Sequence, residues 1–138
     1  MESTYSQAMI ALAARYLDAP AERVQMTKLT GDASTRAYFR AAAEGRSLIV
    51  SLYGARFDQT ERAADRVARF EAANPSARLT FASVPCAHIE ATAVFLAAGL
   101  PVPRILATDG AERLMLFEDV GDIRLQDWMT ARSQAEIR

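Results

Sequence analysis

The sequence predicts an α+β fold: a five-stranded antiparallel sheet, one helix ahead of it, and helices inserted between its third and fourth strands. Three observations predict it. Apolar residues recur at helical spacing near the N-terminus and then give way to alternation as far as Tyr53. Two turn dipeptides, Glu44-Gly45 and Asp109-Gly110, each sit between strand-like segments, as hairpin connections do. Between those turns lie two stretches of helical period, punctuated by Asn74-Pro75 and Gly99.

Each element follows from local chemistry. Met9, Leu12, Ala13, Tyr16 and Leu17 mark one face of a helix over Thr4–Leu17, which Asp18-Ala19-Pro20 ends because proline disfavours helix in the residue before it. Val24, Met26 and Leu29 suggest a first strand. Ala37–Ala42 is a second, with Tyr38 and Arg40 on one face and Phe39 on the other. Ser47–Tyr53 is a third and more apolar strand, stopped by Gly54. Asp58 or Thr60 can cap a helix to about Ala73, with Ala63, Val67 and Phe70 inward and a charged outer face. Leu79 and Phe81 are expected to tuck into the core. Ser83 and Pro85 open a helix that carries Ile89, Ala93 and Leu96 inward and stops at Gly99. Arg104–Thr108 and Glu112–Phe117 complete the sheet as a hairpin, followed by the polar linker Glu118-Asp119-Val120-Gly121. Leu125, Trp128 and Met129 share a face of a last helix from Ile123 onward.

The 138 residues suffice for one modest domain, and a composition of 51% hydrophobic and 24% charged residues is that of an ordinary soluble chain. A net charge of -1 with no basic, aromatic face argues against nucleic acid. Cys86 is the sole cysteine, so no internal disulfide forms, a reducing cytoplasm fits, and no metal cluster is expected. The N-terminus carries Glu2 and Arg15 rather than an apolar signal core, and no apolar run reaches membrane-spanning length. Lys28 is the only lysine; all other basic residues except His88 are arginines.

Three blocks carry a resemblance. They are Gly31-Asp32-Ala33-Ser34-Thr35-Arg36-Ala37-Tyr38-Phe39-Arg40, then Glu90 to Leu106 ending in Ala98-Gly99-Leu100-Pro101-Val102-Pro103-Arg104-Ile105-Leu106, then Leu114-Met115-Leu116-Phe117-Glu118-Asp119-Val120-Gly121-Asp122. In this order the chain resembles the N-terminal lobe of the aminoglycoside phosphotransferase-like kinases, and within them the bacterial cell-wall amino-sugar kinases that act on N-acetylmuramate or N-acetylglucosamine. The resemblance covers roughly residues 24 to 130. It implies that residues 1–122 form a kinase-like lobe with its hinge, and that 123–138 begin a helical C-terminal lobe. The turn Gly31, Asp32, Ala33 and Ser34 would lie over the triphosphate of ATP, offering backbone N–H groups. Asp32, whose carboxylate would repel phosphate, would hydrogen-bond the turn's own backbone instead. Leu116, Phe117, Glu118 and Val120 would form the hinge that binds adenine, with Val50 and Phe117 sandwiching the base. Core packing is the plainer role for Val50, Leu116 and Phe117, and the two roles are compatible.

Glu90 stands where the family's helix-borne glutamate stands, but the lysine that it usually pairs with, on the third strand, is missing from Leu48-Ile49-Val50-Ser51-Leu52-Tyr53. Arg40 or Arg36 could supply that charge, since guanidinium grips phosphate or carboxylate bidentately. Arg40 is the preferred partner of Glu90; an exposed strand residue is the equal alternative. The family's His-x-Asp loop and acidic metal site follow the hinge, whereas the lone His88 precedes it and reads as an ordinary helix residue. No catalytic residue is therefore expected in this chain, and the ligands of magnesium belong to the missing lobe. The sequence reads as half an enzyme: the ATP-binding lobe of a phosphotransferase for a small sugar or amino-sugar acceptor, inactive alone, with self-association through the exposed lobe interface expected. A pseudokinase-like nucleotide-binding or interaction module is the alternative, and a small α+β protein of accidental likeness a third.

Overall fold

The computed structural model describes residues 6–30, 36–80 and 84–122. Helix α1 (Gln7–Leu17) starts where Ser6 Oγ accepts the Met9 amide at 3.1 Å, satisfying one of the orphan donors of a first turn. It ends at Asp18, which takes the left-handed conformation (φ 52°) two residues before Pro20. Met9, Ala13 and Leu17 form the buried stripe. Tyr16, expected inward, lies at the border of that stripe and is exposed. A single 3-10 turn, Ala21–Arg23, then delays the first strand by one residue beyond Val24.

Strands β1 (Gln25–Lys28), β2 (Ala37–Ala43) and β3 (Arg46–Leu52) form an antiparallel meander. Glu44 (φ 53°) and Gly45 (φ 73°) turn β2 into β3 with both central residues left-handed, the geometry that matches strand twist in a two-residue loop. Strands β4 (Ile105–Asp109) and β5 (Leu114–Glu118) form the second hairpin, and β5 docks against β3 to give the order β1-β2-β3-β5-β4. The α+β class and the five-stranded antiparallel sheet are therefore as the sequence predicts.

The Asp109-Gly110 pair works differently from expectation. The chain turns over four residues, with Arg113 (φ 66°) in the left-handed region and Gly110 outside it. Glycine is required at 110 by close approach: a Cβ there would lie 1.8 Å from the Phe57 carbonyl oxygen. The Phe57 amide donates to the Gly110 carbonyl at 3.0 Å, and the Gly110 amide donates to Gln59 Oε1 at 3.3 Å. The hairpin tip is thus stitched to the segment that leaves β3.

That segment leads to α2 (Ala63–Ala73), which begins later than expected. Asp58 accepts from the Thr60 amide and hydroxyl, closing a local turn rather than capping the helix. The first helical amide, that of Ala63, is instead satisfied at 2.8 Å by Glu90 Oε1 from α3 (Pro85–Ala97). The expected Ser83 cap and Phe81 lie outside the described residues; α3 opens at Val84, which offers no side-chain cap, with Pro85 in the first helical position. Helix α3 closes at Gly99 (φ 77°), whose neighbour Leu100 donates back to Phe95 O at 2.9 Å. Its buried residues are Cys86, Ala87 and Thr92; Ala93 and Leu96, expected inward, are exposed, because only the N-terminal half of this helix meets α2 and the sheet.

The sheet has two unlike faces. Phe39, Val50 and Leu116 are register partners, and with Leu48 and Leu114 they pack on Met9 and Leu17 of α1 as the main core. On the opposite face Arg40, Ile49 and Phe117 are register partners, and Tyr53, Met115 and Phe117 form a smaller cluster with Ile89 of α3.

Candidate functional site

The second face of the sheet is incompletely covered, and a cavity of about 350 Å³ opens between it and α3. Ile49, Tyr38 and Phe117 supply the sheet side, Ala91 and Phe95 the helix side, and Glu118 and Val120 the rim. The pleat explains its chemistry. Alternate residues of β3 and β5 point to this side, so each strand contributes one large apolar group while its neighbours serve the α1 core. Among the described residues no hydrogen bond engages the backbone of Val120, whereas the Glu118 amide donates to Arg104 O at 3.1 Å. A flat, largely apolar ligand with a polar edge fits such a slot.

His88 lines the slot, and Tyr53 meets it from the lining of a neighbouring cavity. The Tyr53 hydroxyl lies 3.3 Å from His88 Nδ1, and the imidazole ring stacks on Phe117 with centroids 4.9 Å apart. Burial, reinforced by Arg36, holds the His88 pKa below the ordinary imidazole range, and burial raises that of Tyr53. The contact is a neutral one near pH 7. On its far side a second cavity of about 290 Å³ is lined by Tyr53, Phe57, Arg36, Arg56, Arg66 and the start of α3. Within it the Cys86 thiol donates to the Asp58 carbonyl at 3.2 Å, and burial together with Glu61 raises its pKa, so it is a structural thiol rather than a nucleophile.

Arg40 does not pair with Glu90. Its guanidinium holds the chain that leaves β5: Nε donates to Asp119 Oδ2 at 2.6 Å, Nη2 to Asp119 Oδ1 at 3.2 Å, and Nη1 and Nη2 to Asp122 at 3.1 and 2.7 Å. Asp119 also accepts from Ser47 Oγ at 2.7 Å and the Gly121 amide at 2.9 Å. Its side chain is only 8% exposed, and the Arg40 hydrogen bond comes first among the causes that lower its pKa to about 2. Two carboxylates already neutralise Arg40, so it is spoken for as a cation. The expected charge pair fails because Glu90 lies on the α2 side of α3, where it caps Ala63.

The remaining expected site residues divide by strand parity. Phe117, Glu118 and Val120 line the slot. Val50 and Leu116 do not: both are fully buried on the α1 side, and Ile49 takes the place assigned to Val50. Gly31, Asp32, Ala33 and Ser34 lie outside the described residues. Ser51, at the lysine-free centre of β3, is fully buried, and its hydroxyl finds no partner of ordinary geometry among the described residues. Ile49, Tyr38 and His88 are the functional candidates that sequence reasoning missed. Period-2 alternation from the Arg40 face would have found the first, since residues facing Arg40 and Tyr38 across the ladder are Ile49 and Ser51.

Comparison of the chain with protein-family models, with curated proteins and with solved structures returns no match.

Proposed function

We propose that the chain is a nucleotide-binding lobe of a kinase-like phosphotransferase, with the adenine of ATP in the slot between Ile49, Phe117 and α3. One observation carries the reading: a largely apolar cavity of about 350 Å³ is lined by Glu118 and Val120, at the end of the strand that floors it and just beyond. The strand order, with helices between β3 and β4, supports the kinase-like part. A backbone amide and carbonyl beside an apolar slot recognise the edge of a purine without any charged side chain. The acceptor, a sugar or amino sugar, and the magnesium ligands would belong to a second lobe. Since the sequence has one histidine and no His-x-Asp motif, the lobe alone binds nucleotide and transfers nothing.

The test is calorimetric titration of adenosine and ATP into the purified chain, with Ala91→Trp as the blocking variant. Ala91 is half-buried on the helix side, so an indole there fills the slot without entering either core. Adenosine and ATP are expected to bind, and the variant to weaken both at least about tenfold, more than 1.4 kcal/mol, with its melting temperature kept. Adenosine that fails to bind, or binds the variant equally well, refutes the reading.

A further inference from the structure

The two edges of the sheet are unlike. At one, β1 is polar along most of its length, Gln25-Met26-Thr27-Lys28, and carries a lysine. At the other, β4 reads Ile105-Leu106-Ala107-Thr108-Asp109, has no charge before its last residue, and among the described strands pairs only with β5. The outward N–H and C=O groups of an edge strand are a template for another strand, and a lysine on the edge is one device that discourages such pairing. The one such device within β4 is a bulge at Leu106, whose side chain is 37% exposed. That bulge also rearranges charge. Ile105 and Thr108 lie opposite Phe117 and Met115 on the α3 face, whereas Ala107 and Asp109 lie opposite Leu116 and Leu114 on the α1 face. Arg104, just before the strand, accepts from the Glu118 amide through its carbonyl, and Glu118 in turn is the register partner of Leu48 on the α1 face. Arg104 and Asp109 are an odd number of residues apart and in a regular strand would point to opposite faces; the extra residue puts them on one. Arg104 is exposed, and Asp109 Oδ1 accepts the Glu112 amide at 3.1 Å. Among the described residues no ion pair engages either.

From these observations we infer that the β4 edge is a self-association surface, and that its partner is β4 of a second copy, antiparallel across a two-fold axis normal to the sheet. Such an axis keeps each face of the sheet on its own side, so residues directly opposite one another must share a face. The register that sets Arg104 against Asp109 of the second copy meets this condition. It also sets Ile105 against Thr108 on the α3 face, and the bulged Leu106 against Ala107. Symmetry repeats the contact, so each copy's Arg104 meets the other's Asp109: one register places two opposite-charge pairs and no like-charge pair within the paired segment. The β1 edge has no such self-complementarity, since Lys28 has no carboxylate in its strand to answer it. The segment Arg104–Asp109 is far shorter than the roughly 20–30 residues a side of a standard interface, so the dimer is weak and concentration-dependent. None of these six residues lines the slot or the cavity beyond Tyr53, and the inference therefore stands apart from the nucleotide reading.

Sedimentation velocity from about 20 μM to about 1 mM measures association of the unaltered chain, of Arg104→Asp and Asp109→Arg separately, and of their equimolar mixture. Either variant alone sets like charges opposite each other twice, and each is expected to weaken the dimer at least about tenfold. In the mixture the carboxylates of one variant face the guanidinium groups of the other, and a heterodimer within about threefold of the unaltered affinity is expected. Leu106→Lys, which brings two ammonium groups beside the two-fold axis, is a second arm at an exposed side chain and should weaken association at least about tenfold by itself. Arg15→Asp makes the same charge change as Arg104→Asp on the exposed side of α1 and should leave association unchanged. Thermal melts of Arg104→Asp and Leu106→Lys that match the unaltered chain show that pairing, not folding, was lost. A chain that stays monomeric throughout the range overturns the proposal. So does association that Arg104→Asp and Leu106→Lys leave intact, which assigns the contact to another surface, and so does an equal loss in Arg15→Asp, which reduces the effect to net charge. A mixture of folded variants no tighter than its components overturns the two-fold register, and with it the proposal.

Discussion

Arg40 and Gly110 show how single residues set the geometry around the slot. With Asp119 almost buried, its carboxylate is tolerable only while Arg40, Ser47 Oγ and the Gly121 amide satisfy it. Arg40→Ala is expected to cost roughly 2–4 kcal/mol, because it strands that charge rather than merely removing a contact. Arg40→Lys recovers little of it, since an ammonium cannot bridge Asp119 and Asp122 in two parallel pairs. The same cluster fixes a pH dependence. The Asp119 pKa is depressed from its ordinary value to about 2, so the folded state binds the proton less readily than the unfolded one. Its contribution is fully present above the unfolded pKa of about 4, is lost as pH falls toward about 2, and amounts to roughly 1–2 kcal/mol. Denaturant melts between pH 6 and pH 2.5 check this: the unaltered chain should lose more stability over that range than Asp119→Asn. Gly110→Ala tests the other contact. A methyl group 1.8 Å from the Phe57 carbonyl oxygen cannot be accommodated without parting the hairpin tip from the β3 exit. A loss of about 1–3 kcal/mol or more is expected, against at most a few tenths at Gly54, whose Cβ position is open. Equal melting temperatures for the two alanine variants would contradict that account.

At the scale of elements, what was legible in the sequence is what alternation and helical period encode. The five strands and the helices fall in the expected order because each is specified by its own residues, from the Ser6 cap to the Gly99 stop. What escaped is whatever depends on partners distant in the chain. The start of α2 is decided by Glu90, twenty-seven residues downstream, and so the local Asp58 and Thr60 signals misplace it. Arg40 finds Asp119 rather than Glu90 because strand pairing brings Ser47 and the β5 exit beside it, a relation that no local window contains. The resemblance places Val50 against the base, with core packing as its plainer role, and the pleat turns it toward α1 and turns Ile49 to the slot. Helix α3 was the hardest element to orient. It is apolar on every side, so periodicity names no inward face, and Val94, Phe95 and Leu96 stay exposed while small Ala87 and Cys86 are buried.

Across the whole molecule the two faces of the sheet are unequally supported, and this governs how it should open. One face is sealed by α1 over a continuous core from Met9 to Leu116, in which Leu17, Val50, Leu114 and Leu116 are almost wholly removed from water. Each such side chain contributes about 1.5–3 kcal/mol. The other face meets α3 through the small cluster of Tyr53, Met115 and Phe117 with Ile89, α2 joins α3 through Ala63, Val84, Cys86 and Ala87, and α3 leaves much of its C-terminal half in solvent. Local opening follows buried apolar contact, so α2 and α3 are expected to separate from the sheet without global unfolding. Native-state hydrogen exchange measures this directly. Amides of β2, β3 and β5 should exchange only with complete unfolding, and those of α3 by an opening about 2 kcal/mol or more cheaper. The walls of both cavities depend on the less stable half, which couples that opening to binding. A ligand bridging sheet and α3 must hold them together, and at a hundredfold excess over its Kd should slow α3 exchange about a hundredfold, or about 2.7 kcal/mol, where opening abolishes binding. The strand amides, limited by global unfolding, should shift by the same increment, so the difference between sheet and helix persists while both move. If α3 exchanged as slowly as β3 without ligand, the helices would belong to one cooperative unit with the sheet, and the cavities would be rigid rather than closed by what they bind.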